Sequence, residues 1–319
     1  MFSDKIPSRQ LWAWLLTAMT APLAVVAGKS AWPWVLAVGA VCGVVCWGVN
    51  TMMGEMSRYP KWFCFLQILW LAAAAGEMAR WSGYCWEDSG NFPVVQLTLL
   101  FLAAAASWNG GERASRVGSV LAWLLGVLYI IVLGAGIQGL HWRRLAAGTE
   151  RPGGELVFVF LIPVVISMLP KEKSGFVKWG AAVTGGFGLL ISLWTTGTLS
   201  WAGVKSSEFP FYTFSESLSL FGVAERFESV VSVALTMGFF SLMSILFSAV
   251  GCLAERARQG GGRIGIAAGC ALAAGVVLSG GGMMPLTMAA GAAIFWGILP
   301  FGAAACGKIK KSKNNEKSA

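Results

Sequence analysis

The feature that most constrains this chain is a succession of long apolar runs joined by short links, drawn roughly at 10–28, 31–54, 61–82, 92–108, 117–140, 155–170, 176–202, 227–251, 264–281 and 284–306. About 20 apolar residues is the length a helix needs to cross the hydrocarbon of a bilayer. A lone segment in lipid must satisfy its own backbone N–H and C=O groups, so each run is expected to be helical. The 319 residues are 56% hydrophobic and 12% charged, with a mean hydropathy of +0.67, too few polar side chains to cover a water-exposed surface. The expectation is one polytopic all-α membrane domain over residues 1–319, with about ten transmembrane helices.

The basic residues give the orientation, because Lys and Arg accumulate in cytoplasmic links. One side collects Lys5, Arg9, Arg58, Lys61, Arg113, Arg116, Lys171, Lys173, Lys178, Arg256, Arg258, Arg263 and the lysines after 307, while the other holds Lys29, Arg80, Arg143, Arg144, Arg151 and Lys205. Both termini are therefore expected in the cytoplasm, with 307–319 a basic cytoplasmic tail; the link 141–154 is the one that argues against this sorting. Trp12, Trp32, Trp62, Trp81, Trp108, Trp142, Trp179 and Trp201 fall near the span ends, as an aromatic belt does. Lys5 and Arg9 before an apolar run also fit a signal peptide, but Pro22 interrupts that run and cleavage would leave an odd set of nine spans. The net charge of +9 thus reports membrane topology, and no nucleic-acid partner is expected, since the basic residues lie in links and a tail.

Ten spans divide into five before 141–154 and five after it. Because five is odd, the two sets insert in opposite senses, the condition for a five-plus-five inverted repeat of the LeuT-like kind. The first repeat is placed at about 10–140 and the second at about 155–306, from topology alone. In this plan the substrate binds near the midplane, where the first helix of each repeat is broken.

Both expected positions are irregular. Span 1 contains Thr17-Ala18-Met19-Thr20-Ala21-Pro22, where Pro22 removes a backbone donor and Thr20 is placed to cap a second half-helix whose free N–H groups face an anionic ligand. Span 6 opens with Pro152-Gly153-Gly154-Glu155 and contains Pro163. Thr17, Ala18, Thr20, Ala21, Gly153, Gly154 and Glu155 are the candidate ligand residues; the alternative is that each proline merely kinks its helix. Ionisable residues inside apolar runs are functional candidates because burying them is costly, and they are few: Glu77, Glu155, and Glu225, Arg226 and Glu228 leading into span 8. The alternative places them shallowly, capping or pairing, with Glu225 and Glu228 near a helix N-terminus where acids are favoured.

The seven cysteines show no metal-ligand spacing, and neither a metal nor a cofactor is expected. His141 reads as an interfacial residue, and Ser241, Ser244 and Ser248 as small residues for close helix packing. No hydrolase, kinase or metalloprotease motif is present. Gly280-Gly281-Gly282 lacks the preceding strand and following lysine of a phosphate loop and reads as a tight turn, so the chain is not expected to be an enzyme.

Several stretches together resemble the spore germination permease family, the B subunits of nutrient germinant receptors, within the amino acid/polyamine/organocation superfamily. They are Phe209-Pro210 followed by Gly222-Val223-Ala224-Glu225-Arg226-Phe227-Glu228; Gly110, Glu112 and Arg116 in the link before span 5; Asn91-Phe92-Pro93 at span 4; Ser8-Arg9-Gln10-Leu11; and Ala27-Gly28-Lys29-Ser30-Ala31-Trp32. The resemblance covers about residues 8–255. It implies ten helices, a role in sensing a small nutrient such as an amino acid, A-type and C-type receptor subunits as partners, and the spore inner membrane or cell membrane of an endospore-forming bacterium. Glu155 is similar to an acidic residue the family carries in span 6. This chain is shorter than the family pattern between spans 5 and 6.

The resulting expectation is a permease-like subunit that binds a nutrient between spans 1, 3, 6 and 8. Backbone near Thr17, Thr20 and Ala21 holds the ligand carboxylate and Glu155 faces its ammonium. Two alternatives stand beside it: a proton-coupled transporter with Glu77, Glu155 or Glu225 as the carrier acid, and a structural subunit that binds nothing, which tolerance of bulky residues at Ala18 and Gly154 would favour.

Overall fold

The computed structural model describes residues 5–53, 60–86, 92–147, 153–170, 176–207, 209–217 and 227–303. Its helices are α1 (Ser8–Val26), α2 (Trp32–Met53), α3 (Lys61–Trp81), α4 (Phe92–Ser107), α5 (Gly111–Gly136), α6 (Glu155–Ser167), α7 (Phe176–Ser206), α8 (Pro210–Glu216), α9 (Phe227–Ala257), α10 (Gly262–Leu278) and α11 (Pro285–Ala292). The last continues through a π-helical turn, Ala293–Ile298, to Ala303. No strand occurs among the described residues. Six of these helices, α2, α3, α5, α7, α9 and α11, are long and apolar enough to cross a membrane, while α4, α6 and α10 are apolar but shorter.

The helices sort by what they touch. One group crosses as two pairs, with α3 and α4 each lying on both α9 and α10; the other joins α2 to α7 and α6. The two groups meet where α1 lies against α9, and most of α1 is enclosed: from Trp14 to Val26 every residue but Leu16 is buried. Close approach depends on glycine. A Cβ at Gly118 of α5 would collide with the Trp14 ring, and one at Gly238 of α9 would collide with Thr20 and Ala21. Small residues at such crossings let backbones approach and gain packing contacts in lipid, where no hydrophobic effect drives helices together.

α6 is enclosed over nearly its whole length, and it meets its neighbours through rings: Phe158 lies 6.4 Å from Trp70 and 6.2 Å from Trp81 of α3, and 5.0 Å from Trp296 of the π-helical turn, between centroids. Gln67 of α3 donates to the Phe295 carbonyl in the π-helical turn, a place where ordinary helical pairing is interrupted.

Several expectations need correction. α1 is one continuous helix, and Pro22 sits inside it without breaking it. Pro163 likewise lies inside an unbroken α6. The segment 110–116 is not a link: Gly110, at φ 103°, ends the turn, and Glu112 and Arg116 form an i,i+4 ion pair at 2.6 Å on α5, where Glu N-terminal to a basic partner is the favoured order. Phe209-Pro210 opens the short α8 instead of the long eighth span, which begins at Phe227. The break that does occur lies in α7, where Ser200 has φ 67° and ψ 163°. Gly197 and Thr198 carbonyls beside that break accept from the His141 backbone N–H and from Arg144.

Candidate functional site

The expected α1 site is closed. Thr17 is 1% exposed and Thr20 6%, and Ala18 and Ala21 are fully buried. The Thr17 hydroxyl lies 2.9 Å from the Ala13 carbonyl and 3.0 Å from that of Gly118. Thr20 donates to the Thr17 carbonyl at 2.7 Å, and Tyr129 donates to the Thr20 carbonyl at 3.1 Å. Every one of these polar groups is committed to helix packing, so this stretch offers a ligand neither space nor unpaired donors.

The second set of candidates lies elsewhere. Gly153, Gly154 and Glu155 stand at the start of α6, where the ends of α1, α3 and α10 meet the starts of α4 and α11. A cavity of about 580 Å³ opens there, lined by Glu77, Arg80, Trp81, Gln96, Glu155 and the α10–α11 link from Gly280 to Pro285. A smaller lobe of about 220 Å³ adjoins it, sharing Trp81, Glu155 and Pro285 and adding Gly153, Lys29 and Ser30. Glu155 is the first residue of α6, at the positive end of the helix dipole, where an acid is stabilised. Its carboxylate folds back over Gly153, which has no Cβ to obstruct it. Gly154 is required for a different reason: a Cβ there would strike the Pro285 carbonyl, so α6 and α11 are pinned start to start.

Glu77 and Arg80 reach this cavity from the last turns of α3. Glu77 is 4% exposed, and its Oε2 accepts the Met283 N–H at 3.3 Å. Arg80 Nη2 donates to the Gly280 carbonyl at 3.2 Å, and Gln96 donates to the Arg80 carbonyl at 3.3 Å. A Cβ on Gly282 would lie 3.4 Å from Arg80 Nη2 and 3.5 Å from Glu77 Oε1, so the link passes between the two charges. Two further cavities among the described residues are apolar troughs beside α2, one with α6 and α11 and one with α7, both without a charged side chain.

No protein-family model matches the chain, and no curated protein matches it. Among solved structures, the chain superposes on Mhp1, a nucleobase-cation-symport-1 family transporter in a closed conformation with bromovinylhydantoin bound, with a TM-score of 0.60 over 95% of this chain and 78% of that one. The chain has the fold of that transporter. Sequence identity over the match is 11%, so the likeness is one of fold. With the apolar helices it makes the chain an integral, multi-pass membrane protein.

Of the sequence candidates, the structure brings together Glu77, Gly153 and Glu155, with Gly154 as their packing support. It keeps Thr17, Ala18, Thr20 and Ala21 apart from them, in the α1 packing. Glu225 and Arg226 lie outside the described residues, as does the Glu228 side chain. Arg80, Gln96 and the glycine turn 280–282 were missed as site residues. Arg80 carried a signal, standing three residues after Glu77 and so on the same face of α3, but it reads in sequence as one more interfacial cation. Six cysteines, Cys42, Cys46, Cys64, Cys85, Cys252 and Cys270, are buried free thiols, and no cluster of three or more metal-ligating side chains occurs among the described residues. Ser241, Ser244 and Ser248 lie in tight packing, where Ser107 donates to the Ser244 carbonyl at 2.9 Å and meets Ser248 at 3.2 Å.

Proposed function

We propose that this chain is a permease-like membrane subunit that binds a small nutrient, an amino acid being the best fit, between α3, α6 and the α10–α11 link. The observation that carries this reading is the meeting of two carboxylates, Glu77 and Glu155, with one guanidinium, Arg80, in a single cavity of ligand size. Charges at the margin of a bilayer are costly, and their convergence on one space is what recognition of a small zwitterion requires. Glu77 and Glu155 face its ammonium group. Binding favours one of two arrangements of the bundle, and the shift passes to A-type and C-type receptor subunits. The motif pattern at 8–11, 27–32, 91–93, 110–116 and 209–228 supports the germinant-receptor setting and its spore or cell membrane location.

The packing supports the inverted repeat. If α1 to α5 correspond in order to α6, α7, α9, α10 and α11, the contact of α1 with α5 maps onto that of α6 with α11, and α3 on α10 maps onto α9 on α4. The pairs α2 with α7, α3 with α9 and α4 with α10 map onto themselves. By the sorting of basic residues, the cavity lies at the outer face.

A second reading, a proton-coupled transporter with Glu77 or Glu155 as the carrier acid, is favoured by the fold shared with a symport-family transporter. Binding of labelled amino acids to the purified chain tests the site. Saturable binding lost in Glu155→Gln, from a monodisperse preparation, is the expected result; no binding of any amino acid contradicts it. Concentrative uptake into vesicles, driven by a pH gradient, separates transport from sensing.

A further inference from the structure

We infer that Arg80 is the anchor for a carboxylate on the ligand, and that the ligand takes this anchor by displacing the Gly280 carbonyl of the α10–α11 link. The inference rests on the cavity being the ligand site. Its first support is a half-filled fork. Arg80 Nη2 donates to the Gly280 carbonyl at 3.2 Å, whereas Nη1 is buried with no hydrogen-bond partner among the described residues. A guanidinium presents its nitrogens as a planar fork that matches the two oxygens of a carboxylate. A peptide carbonyl fills one prong, and an unmet buried donor carries a desolvation cost that a two-oxygen ligand relieves.

The neighbouring acid does not fill the fork. Glu77 commits Oε2 to the Met283 N–H, and the Gly282 backbone passes between Glu77 Oε1 and Arg80 Nη2. The link is also built to yield. Gly280 has φ +69°, a conformation that suits glycine, and a Cβ on Gly280 or Gly281 would meet nothing within 4 Å. Two hydrogen bonds, from Arg80 to Gly280 and from Met283 to Glu77, tie it to α3. A ligand carboxylate on Arg80 replaces the first tie, so occupancy loosens the link at Gly280 while Glu77 Oε1 is left to take the ligand ammonium. No rival anchor remains on α1, whose Thr17 and Thr20 hydroxyls are already paired.

The test uses the purified full chain and competition binding with L-alanine and L-leucine, each against its own amide, which keeps the ammonium and removes the carboxylate. Wild type should prefer each acid over its amide by about tenfold or more, the scale of a hydrogen bond to a charged group. Arg80→Gln should bring the ratio near one, and Arg80→Lys, which keeps the charge without the fork, should restore part of it. Amide exchange over 280–284 should quicken on L-alanine or L-leucine binding in wild type but not in Arg80→Gln. Either variant remaining at the wild-type ratio overturns the inference and leaves the site intact. Arg80-dependent binding of propionate by a chain that binds neither amino acid supports the anchor and overturns the amino-acid reading. A monodisperse wild type that binds none of these probes overturns both.

Discussion

α1 and α6 are the two innermost helices, and each carries an internal proline, Pro22 and Pro163, and a flank of small residues. α1 sits tightly against α5 and α9, its Trp14 ring over Gly118 and its Thr20 and Ala21 against Gly238, and its hydroxyls are paired within the packing. α6 starts in the open, its first residue a carboxylate in a cavity that also holds Glu77 and Arg80. A proline and small residues therefore do not mark a ligand site by themselves. What decides is whether neighbouring helices close the space, as glycines do around α1, or leave a charged margin, as the α10–α11 link does around α6.

The largest effect should come from attacking the closed side. Gly238→Val places side-chain atoms into Thr20 and Ala21, and overpacking of this kind typically costs about 1–3 kcal/mol. A lowered thermal midpoint in detergent, with loss of the monodisperse fraction, is expected; an unchanged midpoint would mean that α1 is not packed as described. On the open side, Glu155→Gln should weaken amino-acid binding by at least about tenfold, the loss of one hydrogen bond to a charge, while the midpoint moves little. Gly154→Ala should damage binding and stability together, because its Cβ meets the Pro285 carbonyl. Tolerance at Gly154 or Ala18 thus reports packing and does not separate a binding subunit from a structural one.

Thr20→Val should leave binding unchanged and cost about 1 kcal/mol of stability, the value of one hydroxyl hydrogen bond. The smallest expected effect is a gain: Ser200→Gly relieves a positive φ that a non-glycine residue adopts at about 1 kcal/mol or more, so its midpoint should rise slightly. Unchanged or lower stability would place the strain elsewhere in α7.

The helical class and the helix positions were legible because bilayer thickness and backbone pairing leave a long apolar run only one local solution. The start of α5 was read late because Glu112, Arg113 and Arg116 make its first turns polar, and hydropathy cannot see a helix that projects beyond the apolar run. The α7 break at Ser200 lies in an apolar run whose threonines and glycine, Thr195-Thr196-Gly197-Thr198, gave a hint too weak to place it. Glu155 was legible as an acid at the head of an apolar run. Arg80 was not, because its partner carbonyl comes from Gly280, 200 residues along the chain, and only the packing of α10 and α11 on α3 and α6 brings them together.

Binding of a labelled amino-acid panel to purified wild type, Glu155→Gln and Thr20→Val tests most directly whether the ligand lies beside α6 and not within α1. Saturable binding that is lost in Glu155→Gln and kept in Thr20→Val is the predicted result. Binding lost in Thr20→Val and kept in Glu155→Gln would contradict it and return the site to α1.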